Sequence, residues 1–225
     1  MQRHLDQELT DLKKYLLNMG ALVEAAIFES IEALKGLSAE KAQKIINGDK
    51  LIDELENQID KKCLDLLALQ QPMASDLRFI VMVSKINTDL ERIADLSADI
   101  AQMILELVGK PLLKPLVVGI SRLTDIAQKM TKDAINAFIN TDADLAGMVI
   151  LLDSAANRVH NLVQKELVED FIIKNPFTAP RAVPLLLIAR HLERICDHAT
   201  NIAEDVIYMV KADVVKHNPE KLKPI

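Results

Sequence analysis

Leu90-Glu91-Arg92-Ile93-Ala94-Asp95-Leu96-Ser97-Ala98-Asp99-Ile100-Ala101 returns 102 positions later as Leu192-Glu193-Arg194-Ile195-Cys196-Asp197-His198-Ala199-Thr200-Asn201-Ile202-Ala203, with seven of 12 positions identical. Self-similarity at a fixed offset means one structural unit written twice. The duplication reaches further out: at an offset of 104, Ile31, Ala33, Ala39, Ala42 and Asp49 match Ile135, Ala137, Ala143, Ala146 and Asp153. The 225 residues therefore divide into two units of about 110 each.

Within the repeated stretch Ile86, Leu90, Ile93, Ile100 and Ile104 recur at the spacing of one helix face, so the stretch is helical. Working outward, the same periodicity predicts a first helix from about Arg3 to Lys35 and a second from Ala39 to about Gln70. A third runs from Pro72 to about Val108. Gly109-Lys110-Pro111-Leu112-Leu113-Lys114-Pro115 is the strong break in mid-chain. Beyond it a fourth helix spans about Leu116 to Ile139. A fifth, capped by Thr141-Asp142-Ala143-Asp144, runs to about Lys174, and a sixth spans Arg181 to Lys211. The expectation is all-α: two tandem, similar three-helix bundles side by side, residues 1–110 and 111–215, with a tail over 216–225. Helices of about 30 to 35 residues reach about 50 Å, so the molecule should be elongated.

Composition narrows the function classes. Half of the residues are apolar and only 3% aromatic, so Leu, Ile, Ala and Val must fill the core. A net charge of −6 argues against nucleic acid, whose phosphates call for a field of Lys and Arg. The apolar run from Ala182 to Ala189 is broken by Pro184 and is shorter than the ~20 residues that span a bilayer. The polar start, Met1-Gln2-Arg3-His4, lacks the apolar region of a signal peptide, which predicts a cytoplasmic protein. Cys63 and Cys196 stand alone and read as small core residues.

The repeated stretch also carries acids. Glu91, Asp95 and Asp99 fall at i, i+4 and i+8, one face of a helix, where like charges repel. That face points away from the isoleucine stripe. If the second and third helices fold back around Pro72, Asp49 lies across from Ala94 and Asp53 across from Leu90, so both acidic pairs border one groove. The same reflection in the second unit sets Asp153 and Asn157 across from Asn201 and Asp197, to within about one turn because the loop is longer, and so gathers Asp153, Glu193 and Asp197. There Asn157 and Asn201 replace Asp53 and Asp99, which makes the second set less acidic. Carboxylates on two rigid helices suit hard cations, with His198 and His160 nearby. A solvated acidic face is the alternative reading. Arg92 and Arg194 read as ion-pair partners of the acids, with anion ligation as the alternative.

Pro72 with Asp76-Leu77-Arg78, Asp89-Leu90-Glu91-Arg92-Ile93-Ala94-Asp95 and the stretch Arg190 to Glu204 resemble the PhoU family, the accessory regulators of bacterial phosphate-specific transport, over essentially the whole chain. The resemblance implies two side-by-side three-helix bundles with metal-binding motifs of the Glu(Asp)-x-x-x-Asp type. By position these are Asp49 with Asp53, Glu91 with Asp95, and Glu193 with Asp197, while the motif at Asp153 ends in Asn157. Iron is the metal expected first, then Zn, Mn, Mg or Ca. The implied role is negative regulation of phosphate uptake and of the phosphate-starvation response. It is exerted on the ATPase subunit of the phosphate ABC transporter and on a phosphate-sensing histidine kinase, with a homodimer as the usual form.

Two other classes compete. A ferritin-like di-metal carboxylate enzyme needs Glu-x-x-His pairs projecting into a bundle core, and none occurs. A metal-free helical adaptor or chaperone-type module would leave the acids solvated. No nucleophile with a base and no phosphate-cradling glycine loop is present in the sequence, so no catalysis and no organic cofactor are expected.

Overall fold

The computed structural model of the chain describes residues 4–216; the side chains of residue 4 and of residues 114–118 stand outside that description. Six α-helices follow one another: α1 (His4–Gly36), α2 (Ala39–Gln70), α3 (Ser75–Leu107), α4 (Lys114–Asn140), α5 (Ala143–Lys165) and α6 (Ala179–Lys211). No strand occurs among the described residues. Apart from Lys216, the expected tail lies outside them.

The turns explain where the helices stop. Ser38 caps α2 by accepting from the Lys41 backbone N–H, and Asp142 caps α5 by accepting from those of Asp144 and Leu145. Such oxygens satisfy amides that a first turn leaves without partners. The chain reverses through left-handed residues, Gln71 after α2 and Thr141 after α4. Because the segment Gln71–Ala74 makes that reversal, α3 starts three residues later than Pro72 suggests. The fifth helix continues beyond Lys165 as a π-helical segment, Glu166–Ile172, before a 3-10 turn at Pro176–Thr178 leads into α6.

Helices α1–α3 form one bundle and α4–α6 the other, joined through α3 against α6 and α1 against α4. The isoleucine stripe is the core: Ile86, Leu90, Ile93, Ile100 and Ile104 are at most 1% exposed, and the copies Ile188, Leu192, Ile195 and Ile202 are fully buried. Each such side chain contributes about 1.5–3 kcal/mol on leaving water. Cys63 and Cys196 are buried among them.

Contacts along α3 and α6 pair Lys85 with Asp205, Asp89 with His198 and Asp99 with His191, and just beyond α3 the Lys110 ammonium meets the Pro180 carbonyl. One residue number falls as the other rises, so the two helices run antiparallel. The Pro180 carbonyl is available because Pro184, four residues on, has no N–H to donate to it. Glycine permits the closest helix contacts. A Cβ on Gly20 would stand 3.0 Å from Ile135 Cδ1 between α1 and α4, and one on Gly119 would stand 2.7 Å from Val163 Cγ2 between α4 and α5.

Candidate metal centre

Helices α2 and α3 fold back on each other, which brings α2's Asp49 and Asp53 to α3's Asp95. One carboxylate oxygen from each of the three lies within 4.8 Å of the other two. Asp49 also borders the same groove as Ala94, as the reflection about Pro72 requires. Burial, followed by repulsion from Asp95, Asp53 and Asp99, pushes the Asp49 carboxyl up to about 6.

Glu91, one turn before Asp95, is less outward than the helical phase suggests: its side chain is 14% exposed. Burial and then the charge of Asp95 push it up to about 7. Its Oε2 is buried without a hydrogen bond, although Arg92 Nε stands 3.4 Å away. Arg92 also donates to Asp95 Oδ2 at 3.0 Å, the ion-pair role expected of it. Asp99 reaches the edge of the cluster electrostatically but sits on the seam between the bundles, 3.9 Å from His191 Nδ1.

The second set is built differently. Burial, then Glu193 and Asp153, push Asp197 up to about 6, so the three acids sense one another. Among the described residues they do not converge as Asp49, Asp53 and Asp95 do. The charge of Asp153 reaches Asp197, within the one turn of register that the longer connection before α6, with its π segment and 3-10 turn, leaves open. Asn157 donates to Asp153 Oδ2 at 2.8 Å, and Arg190, not Arg194, is the residue that pairs with Glu193, at 2.9 Å.

His198 and Asn201 do not turn toward this second set. His198 Nδ1 lies 2.7 Å from Asp89 Oδ1, and Asn201 donates to the same oxygen at 3.3 Å. His160 is buried. Asp89 is a seam residue that the acidic motif does not mark; its signal in the sequence is the opposite charge type at the repeat-equivalent position, His191. Glu56 lies outside the motif as well: its carboxyl is raised by burial and then by Asp60 and Asp53, and its charge reaches Glu91.

Two similar three-helix bundles joined along antiparallel α3 and α6, with carboxylates converging in the groove between α2 and α3, define a duplicated all-helical protein with an acidic groove. The comparison with known proteins identifies it further. A family model described as the PhoU domain matches residues 16–104 and again 120–206. The chain belongs to the PhoU family. The Phosphate-specific transport system accessory protein PhoU homolog of Aquifex aeolicus is 38% identical over 219 residues, covering 97% of this chain and 98% of that one. The crystal structure of PhoU from Pseudomonas aeruginosa has a TM-score of 0.90 at 36% identity, covering 93% of this chain and 100% of that chain. That of the phosphate transport system regulatory protein PhoU from Streptococcus pneumoniae has a TM-score of 0.87 at 30% identity, covering 94% and 99%.

Proposed function

We propose that this chain is a cytoplasmic, homodimeric regulator of phosphate homeostasis and not an enzyme. It represses phosphate uptake and the starvation response by contacting the phosphate transporter's ATPase subunit and a phosphate-sensing histidine kinase, and it holds a hard cation in the α2–α3 groove. Family membership supports the regulatory part. The convergence of Asp49, Asp53 and Asp95 carries the cation part.

The donor set fits such a cation. All three groups offer carboxylate oxygen, the ligand type taken by Ca²⁺, Mg²⁺, Mn²⁺ and iron. The repulsion that raises Asp49 and the buried, unbonded Oε2 of Glu91 are costs that a cation would relieve. Glu91 and Asp99 stand alongside, and Asp153, Glu193 and Asp197 form a weaker second position. A bound cation would supply positive charge and cross-link α2 to α3. The acids lie in a hairpin groove, so a ferritin-like oxidase centre inside a bundle finds no support here.

Two experiments test the reading. Elemental analysis and calorimetric titration of chelator-stripped protein should give at least one equivalent of Mn²⁺ or iron, and less than one without a rise in melting temperature refutes the cation. Pull-downs with the ATPase subunit and with the kinase's cytoplasmic domain, at high and low phosphate, should recover both. Failure to recover either refutes the partner reading.

A further inference from the structure

Gly48 lies inside α2, where glycine is the most costly residue after proline. Gly20 and Gly119 are explained by the neighbours a Cβ would strike, but a Cβ on Gly48 meets nothing within 4 Å. Its repeat equivalent, at the offset of 104, is Leu152. The glycine therefore answers no packing need of this chain, and what it leaves open is an apolar groove of about 230 Å³ between α1 and α2. Leu22, Ala25, Ala26, Leu51 and Ile52 line that groove, which runs up to Asp49. Leu51 on its rim is half exposed.

We propose that this groove is a docking slot for a protein partner that presents an aliphatic side chain next to a lysine or arginine. The aliphatic group enters past Gly48, and the cationic group reaches Asp49 and Asp53. Size and charge choose that occupant. The volume falls below the ~300–1,000 Å³ of pockets that enclose free small molecules and suits a single side-chain anchor. Lys44 on the rim is already committed to Glu29 at 3.6 Å and Asp95 to Arg92 at 3.0 Å, which leaves the Asp49 and Asp53 carboxylates as the charge the partner meets. Asp49 serves both the slot and the cation site, so partner and divalent cation oppose each other reciprocally. This last point rests on the proposed function above.

The test measures binding of the transporter's ATPase subunit to immobilised full-length protein in chelator. Gly48→Ala and Gly48→Leu should keep or raise the melting temperature, because both improve helix propensity. Gly48→Leu should nevertheless weaken binding by about tenfold or more, as loss of an anchor does. Leu151→Glu, on the exposed face of α5, should leave binding unchanged. Equal affinity for wild type and Gly48→Leu overturns the slot while leaving the proposed function standing, and an equal loss in Leu151→Glu also overturns it. No binding by wild type overturns the partner reading and the slot together. Millimolar Mn²⁺ should weaken the wild-type complex, and an unchanged affinity in stripped and loaded protein refutes the shared use of Asp49.

Discussion

Replacing Asp49 by Asn is the sharpest probe of the acidic cluster, because it removes one charge and keeps the shape. Two unit charges 4.8 Å apart repel by about 0.9 kcal/mol in water, and several times more at the effective dielectric of about 20 near a protein surface. Asp49 faces Asp53 and Asp95 at about that distance and makes no hydrogen bond among the described residues. With the site partly open to solvent, the low end applies, and Asp49→Asn should stabilise the chelator-stripped protein by about 1 kcal/mol. For a chain of this length that is a rise of about 2–4 °C in melting temperature. Mn²⁺ at a hundred times its Kd should stabilise wild type by about 2.7 kcal/mol, or about 5–10 °C, and the variant by less than half of that. The assay is differential scanning fluorimetry with and without metal. A stripped variant that melts below wild type, or one that keeps the full metal-induced rise, refutes the reasoning.

Stripped protein should also melt higher near about pH 5 than near about pH 8. Asp49 and Asp197 rise from 3.8 to about 6, and Glu91 from 4.5 to about 7, so across that window the folded state binds protons that the unfolded state has lost, and stability falls as pH rises. A flat or rising profile contradicts this. Asn157→Asp removes a donor from Asp153 and adds a charge, so it should lower the stripped melting temperature and add a second cation equivalent by calorimetry; unchanged stoichiometry sinks it. His198→Ala and Asp89→Ala should couple by about 1 kcal/mol in a double-mutant cycle, and additive losses would deny the bond. Burial pushes the Cys63 thiol up to about 12 and Cys196 higher still, so neither should react with an aromatic disulfide reagent until the protein unfolds; rapid native labelling refutes that.

The helices and core were legible because Ile86, Leu90, Ile93 and Ile100 keep one period in both copies, and periodicity is a local property of the chain. The Asp49–Asp95 meeting was legible for a related reason: a short hairpin links the residue numbers of its two arms by simple reflection. In the second hairpin that arithmetic holds only to about one turn, since nothing in Glu166–Ile172 announces that five-residue hydrogen bonding will replace the α pattern. Burial of Glu91 is not legible in the helical phase, which measures only its angle to one stripe and not its approach to α2, whose Glu56 charge reaches it. The seam partners of His198 and Asn201 were out of reach, because they depend on the direction in which α6 lies along α3, a long-range choice that no local pattern records.

That direction explains why the two acidic sets differ. In an antiparallel seam between copies, when one repeat position meets the copy of a second, the copy of the first meets the second. Thus Asp99 approaches His191, while Asn201, the equivalent of Asp99, approaches Asp89, the equivalent of His191. Were residue 201 an aspartate, it would stand about 3.3 Å from the Asp89 carboxylate. Two unit charges at that range repel by more than about 1 kcal/mol even in water. Asparagine converts the repulsion into a donated hydrogen bond, and His198 completes the same oxygen. The second unit thus gives up an acid to the joint between the bundles, while Asp99 stays acidic and adds to the field that raises Asp49. The inequality of the two sites follows from the way the copies are joined, and it leaves the α2–α3 groove as the place where unrelieved negative charge collects.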